Sequence, residues 1–413
     1  MKTSEKSGVF LFLQKTHTHT YRMNYILFDG PARNALLPFT YTRPVAEIRI
    51  GILTIKEKWS RLLSGKVSVR TEEYLSAKFP EVSTDENIYI DASFLPDQDL
   101  AALVEQLKAG EAITSDGHIV AYNAAREETS GFSAYRKKEF AGQLIRIENT
   151  WDIFSKNKEA LHRDFDLVTA GRKSEPIPEG VQVIAPENIF IEKGAQLYFT
   201  TLNASDGPIY IGKDTLVMEG CHIRGGFALC ERSIVKMGAK IYGATTVGPY
   251  CKVGGEINNS VLFSYSNKGH EGFLGNSVLG EWCNLGADTN NSNMKNNYDE
   301  VKLWSYAKAS AVKTGLQFCG LMMGDYSKCG INTMFNTGTV VGVNTNIYGS
   351  GLPANFVPDF SWGGAGGFTE YLLPKAIAAA QRAALRREAV FTEADGHILE
   401  RVFEDTQKWR DNS

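Results

Sequence analysis

Between residues 211 and 258 every sixth position is aliphatic: Ile211, Val217, Ile223, Leu229, Val235, Ile241, Val247 and Val253. The position four beyond each is mostly small, namely Thr215, Cys221, Ser233, Ala239, Thr245 and Cys251, with Phe227 and Ile257 as exceptions. A period of six suits neither an amphipathic helix, which repeats near 3.6, nor a half-buried strand, which alternates. It suits a solenoid of short strands that turns a corner every six residues and points each aliphatic side chain into one stacked core. A β-sandwich would have to produce the same spacing by accident eight times running.

This period resembles the hexapeptide rule of the left-handed parallel β-helix, and it predicts an all-β solenoid over residues 189–360. Around Thr200, Thr201, Leu202 and Asn203 the coil is irregular, and the phase locks at Ile209. After Val253 it slips; Phe273, Leu279 and Leu285 resume the step in a new register, and a loop over 290–306 interrupts it again. Met323, Cys329, Phe335, Val341 and Ile347 carry the last coils. Insertions in a solenoid project from one edge and tend to build its site, so both breaks bracket the expected chemistry.

With 413 residues the chain has room for more than the solenoid. A net charge of −3 gives no reason to expect nucleic acid or an anionic membrane surface as a partner. No apolar run approaches the roughly 20 residues that span a bilayer. Residues 1–22 carry a short apolar stretch, Val9 to Leu13, without a convincing cleavage site. They are expected to be an extension, disordered or a mis-called start, with Met23 the alternative initiator. All six cysteines fall in or beside the solenoid with no CxxC pair, as expected of small core residues in a reducing cytoplasm.

Residues 23–170 read as an α/β domain. Asn24–Phe28 is a buried strand, and Gly30 and Arg33 lie in the loop that follows, before Pro38, Thr40 and Arg43. Backbone N–H groups and a guanidinium in such a loop can hold phosphates. Residues 86–91 form a second strand that ends in Asp91, at the carboxyl end where open α/β sheets place ligands. This stretch resembles the sugar nucleotidyltransferases, whose loop reads G-x-G-T-R before a proline–threonine step and a lysine. The second glycine is missing here, and Arg43 stands where the lysine would. The resemblance implies phosphate or nucleotide binding by Gly30, Arg33 and Arg43. It also implies Mg²⁺ on Asp91 and on Asn149 or Asp152. Residues 171–188, rich in Pro and Gly, read as a linker, and 361–413 as a helical segment that caps the open coil or packs on a neighbour.

The first phase slip holds Ser266, Asn267, Lys268, Gly269 and His270, and is followed by Gly280, Asn284, Gly286 and Ala287. These residues resemble the acetyltransferase half of the bifunctional enzyme family that makes UDP-N-acetylglucosamine, with its S-x-x-G-H and G-x-x-x-N-x-G-A segments. The resemblance makes His270 the catalytic base, with Asn284 and Lys268 beside it. It places Phe273 against the amino sugar, where the family has a tyrosine. It also puts Ile331 and Gly349 in an acetyl-CoA channel between the solenoids of a homotrimer. Lys295 and Lys302, in the second break, would supply cations for a sugar phosphate. The chemistry suits histidine: a sugar ammonium must lose a proton before it attacks a thioester, and imidazole titrates near 6.5.

The expected protein is a cytoplasmic transferase that takes a sugar phosphate, acetyl-CoA and a nucleoside triphosphate. Two other readings stay open. The amino-terminal domain has lost its transfer chemistry, or the solenoid is a non-enzymatic scaffold.

Overall fold

The computed structural model describes residues 23–128 and 131–411; the expected extension, 1–22, lies outside them. The amino-terminal domain is built on a six-stranded sheet of β1 (Asn24–Phe28), β2 (Lys66–Arg70), β3 (Asn87–Asp91), β4 (Glu111–Ser115), β5 (His118–Ala124) and β6 (Arg136–Glu139). Its order is β2-β1-β3-β5-β4-β6, with β1 parallel to both neighbours. Phe28 and Asp91 stand in register, so the loop after β1 and the acid ending β3 leave the sheet side by side. Helices Ile55–Leu62, Gln98–Glu105 and Asn157–Thr169 complete the domain. The first carries a capping box in which Thr54 and Glu57 each satisfy the other's backbone N–H.

From Gln182 onward the chain winds into a parallel β-helix whose coils contribute strands to three sheets. All eight hexad residues point inward, none more than 2% exposed. Strand Gln182–Ile184 already pairs with Thr201–Asn203, so the latter part of the expected linker is the first coil. At the other end Ser361–Gly364 pairs with Asn346–Ile347, so the coil runs past residue 360. The first phase slip is a shortening. Val217, Val235 and Val253 follow one another at 18 residues, but Val253 pairs with Lys268 after only 15, and Asn267 with Asn284 after 17. Leu274, not Phe273, is the inward residue of the resumed coil; Phe273 faces outward opposite Glu256.

The three faces differ in what covers them. On one, outward side chains such as His222, Arg224 and Lys240 are exposed. On the second, the outward residues Ala228, Thr246, Val261, Val278, Met322 and Val340 are all buried. There the amino-terminal domain docks: Phe39 packs on Phe263 with ring centroids 5.5 Å apart, and the Thr246 hydroxyl donates to the Gly51 carbonyl at 2.9 Å. The second interruption is an ordered hairpin, Lys302–Ser305 against Ser310–Lys313. It wedges into the same junction, with Tyr306 edge-on to Tyr41 at 5.4 Å.

The third face bears the first carboxy-terminal helix, and the second packs on the last coil, with Phe403 edge-on to Phe360 at 5.1 Å. Helix Leu373–Arg386 buries Ala376, Ala380 and Ala384, a small-residue stripe one turn apart, and packs against helix Glu393–Asp405. The second helix in turn reaches the amino-terminal domain, where Lys78 pairs with Asp395 at 2.8 Å.

Candidate active site

Outward on the third face, one residue per coil, stand Lys252, Asn267, Asn284, Lys328, Asn346 and Trp362, each in register with the next. Parallel pairing spaces such rungs about 4.8 Å apart. Asn267 donates an amide hydrogen bond to Asn284 at 2.8 Å. Beside this ladder runs a corner column of left-handed residues, Tyr250, Tyr265, Trp282 and Tyr326, whose rings stack at 4.8, 4.2 and 6.3 Å. Across the ladder lie Ala383, Arg386 and Arg387 at the end of the carboxy-terminal helix, and Arg387 reaches the Tyr250 carbonyl at 3.4 Å.

Together these surfaces enclose a cavity of about 480 Å³ that also contains Lys236, Gly269 and His270. Five cations line it, namely Lys236, Lys252, Lys328, Arg386 and Arg387, and no carboxylate does. None of the five forms an ion pair among the described residues. Burial lowers the pKa of Lys328. Burial and then the charges of Arg387, Lys236 and Arg386 lower that of Lys252. Unpaired cations crowded enough to depress one another make a site for a polyanion such as a phosphate ester.

His270 is exposed at the rim of this cavity, and its ring has no hydrogen-bond partner among the described residues. Its backbone is held from inside. Lys268 occupies the inward position that Val235 and Val253 fill in the preceding coils, is 2% exposed, and donates to the carbonyls of His270 at 2.5 Å and Glu271 at 3.2 Å. Burial pushes its pKa down to about 8, against the pull of Glu271 and Asp288. The Lys268 ammonium, expected beside the base, thus sits in the coil interior on backbone carbonyls and not among the residues that line the cavity. Gly255, in the left-handed region, completes the corner, because a Cβ there would fall 2.7 Å from the His270 carbonyl oxygen.

The other expected contacts of this site lie elsewhere. Phe273 is on the neighbouring face, folded over Gly275. Lys295 donates to the Glu300 carbonyl at 2.6 Å within its own loop, and Lys302 belongs to the hairpin at the domain junction; neither lines the cavity. Ile331, 69% exposed, and Gly349 follow inward residues Cys329 and Ile347 on the far side of the ladder, outside the cavity. Closure of this face comes from the chain's own helix, where the resemblance places a neighbouring solenoid.

In the amino-terminal domain Gly30 and Asp91 meet: a Cβ on Gly30 would fall 2.5 Å from an Asp91 carboxylate oxygen. Asp91 is 3% exposed, accepts from the Ser93 N–H at 2.9 Å and has no ion-pair partner among the described residues. Burial raises its pKa, partly offset by Ser93, Arg146 and His118. Ile147 donates to the Ser93 carbonyl at 2.9 Å, which brings Asn149 to the same end of the sheet. Asp152 instead caps the backbone N–H groups of Glu148 and Asn149 at 2.8 and 2.9 Å. A buried carboxylate without an ion-pair partner among the described residues fits a hard cation that keeps waters and binds mainly through substrate phosphates.

The two arginines expected on phosphates are committed to the fold. Arg33 donates to the Thr40 carbonyl at 2.7 Å and the Tyr74 hydroxyl at 3.0 Å, and pairs with Asp29 and Glu72. Arg43 crosses the domain junction to Asp325 and, at 3.3 Å, to Glu281, and all but its rim is buried. Phe39 and Tyr41 of the same loop pack into the junction on Phe263 and Tyr306.

Residues 25–173 match the sugar nucleotidyl transferase family. No curated protein sequence matches the chain. Among solved structures, the Arabidopsis UDP-N-acetylglucosamine acyltransferase is similar at 14% identity and a TM-score of 0.23, covering 57% of this chain and 91% of that one. The polySia-specific acetyltransferase NeuO gives 12% and 0.26, covering 50% and 97%. The UDP-N-acetylglucosamine acyltransferase from Campylobacter jejuni gives 13% and 0.18, covering 57% and 83%. Scores this low transfer no chemistry. The chain thus joins a domain that matches the sugar nucleotidyl transferase family to a parallel β-helix, and among the described residues no helix is long and apolar enough to cross a membrane.

Sequence reasoning missed Lys236, Lys252, Lys328, Tyr265, Trp282, Arg386 and Arg387. The ladder was visible as a column: the residue before each inward position runs Leu216, Ile234 and then Lys252, Asn267, Asn284, Lys328, a switch from apolar to polar. The helix that closes the cavity leaves no such trace.

Proposed function

We propose that this chain is a transferase of nucleotide-sugar synthesis whose β-helix moves an acetyl group from acetyl-CoA to the amine of an amino-sugar 1-phosphate resembling glucosamine 1-phosphate. The observation that supports it is the cavity in which an exposed imidazole meets five unpaired cations and no acid. The phosphate of the sugar satisfies the cations. His270 removes a proton from the sugar ammonium; the nitrogen attacks the thioester carbonyl; the carbon–sulfur bond breaks, and the leaving thiolate takes up the second proton that the nitrogen sheds as the amide forms. Asn284, braced by Asn267, donates toward the polar groups that gather there. Lys268 keeps the histidine corner in place. Replacing His270 by Ala should abolish acetylation of glucosamine 1-phosphate while leaving the thermal midpoint unchanged. Transfer at the wild-type rate would return the solenoid to the role of a scaffold.

The amino-terminal domain, on this reading, exchanges the sugar phosphate for a nucleotide. Asp91 and Asn149 would hold Mg²⁺ there, which when bound offsets charge on the phosphates. A second reading, that the domain binds a nucleotide or sugar without turning it over, is favoured by the commitment of Arg33 and Arg43 to structural contacts. Pyrophosphate release from UTP and N-acetylglucosamine 1-phosphate separates the two: turnover supports the first, silence the second.

A further inference from the structure

A second cavity, of about 590 Å³, opens farther along the same ladder, between Trp362 and the start of helix Leu373–Arg386. Its volume is within the range of small-molecule sites. Trp362 and Tyr371 form its aromatic wall, with ring centroids 4.8 Å apart and planes tilted by 48°. Trp362 remains 38% exposed and Leu372 50% exposed, so apolar surface lines the opening. Lys375 and Arg382 project into it and make no ion pair among the described residues. Its one acid, Glu370, is paired with Arg410 at 3.3 Å.

An aromatic wall beside two free cations is the chemistry that takes a nucleotide: the base lies on the rings and the phosphates on the side-chain charges. The two cavities share one wall. Lys375, Ala378 and Arg382 face the second and Ala383, Arg386 and Arg387 the first, all on one helix. From Trp362 to Asn284 is three rungs, about 14 Å at the spacing of a parallel sheet.

We infer that this cavity binds the nucleotide end of the acyl donor, an adenine nucleotide whose extended arm carries the thioester along the ladder to His270. This rests on the acyl-transfer reading above, but none of its residues is used there. The chain's own helix then forms one wall of the donor groove.

Titration calorimetry of the full chain with 3′,5′-ADP, the nucleotide end of coenzyme A, tests it, with UDP as the competing source of the same chemistry. Lys375→Ala and Arg382→Ala should each weaken 3′,5′-ADP about tenfold, as expected for losing one charge-assisted contact. They should raise KM for acetyl-CoA to match, and leave kcat and the KM for acetyl-pantetheine, which lacks the nucleotide, unchanged. His270→Ala should bind 3′,5′-ADP like the wild type. Binding of 3′,5′-ADP that ignores both substitutions overturns the inference, as does UDP binding more tightly and losing more in Arg382→Ala. If no acyl transfer occurs but 3′,5′-ADP binding still depends on Arg382, the acyl-transfer reading falls and the nucleotide cavity stands.

Discussion

Two basic side chains show how far position decides chemistry. Arg43 fills the place of a phosphate-binding residue in its loop, yet its partners are Asp325 and Glu281. Burial would raise both carboxyls; Arg43 overcomes this at Glu281, which is lowered, whereas burial wins at Asp325. Removing one member of a buried ion pair costs about 3–5 kcal/mol, because the remaining charges lose their compensation. Arg43→Met should therefore lower stability by that amount in denaturant titration. A variant of unchanged stability that fails to bind nucleotide would mean that Arg43 serves a ligand after all. Lys268 is the converse case, a charge inside an aliphatic core. Its folded pKa of about 8 lies below the ordinary 10.5, so the unfolded chain binds the extra proton between those values. Stability attributable to this residue thus rises with pH across that window, and below it burial of the charge costs about 3 kcal/mol. Lys268→Met should be more stable than wild type at pH 7, with the difference shrinking toward pH 10.5. Acetyl transfer should still fall, since the carbonyls of His270 and Glu271 lose their donor. Equal stability of the two proteins at every pH would place the ammonium in water.

The coil was legible in the sequence because its physics is local. A strand two or three residues long must repeat its inward residue every turn, and Ile211 to Val253 do so. Ile241→Ala should cost about 2–5 kcal/mol, the usual loss for a truncated core aliphatic, while the outward neighbour Lys240→Ala stays within about 0.5 kcal/mol. Urea unfolding of the pair measures the contrast, and equal losses would contradict the inward assignment. Legibility ended where spacing stopped being regular. The shortened coil moved the inward position from Phe273 to Leu274, and a one-residue shift turns the side chain to the other face. His270 and Asn284 were found because both sit in or next to that break. The cations opposite them come from 383–387, more than a hundred residues away in the chain, and no local pattern joins the two.

At the scale of the molecule, docking decides more than either domain alone. The face that receives the amino-terminal domain reads as an ordinary solenoid strand until its outward residues are compared: Ala228, Val261, Val278, Met322 and Val340 there, against His222, Arg224 and Lys240 on the open face. Coils, junction and helices also bury all six cysteines, and burial raises the pKa of every one, Cys230 to about 11. The unfolded chain releases thiol protons from about pH 8.5 to 9, where the folded chain keeps them. The folded state then binds more protons, so stability falls as pH rises, by about 1.4 kcal/mol per unit for each thiol. Lys58, Lys252, Lys268 and Lys328, whose pKa values burial lowers, act in the opposite direction. Above pH 10 buried tyrosines such as Tyr25, pushed up to about 12 by burial, also retain protons and act with the thiols. The urea midpoint should therefore decline between pH 9 and 10.5 under reducing conditions. Because the amino-terminal domain and the coils meet at one buried junction, the loss should appear as one transition in both near-ultraviolet dichroism and Trp fluorescence. A midpoint that holds or climbs across that range would show that the thiols reach solvent and that the β-helix is looser than its packing implies.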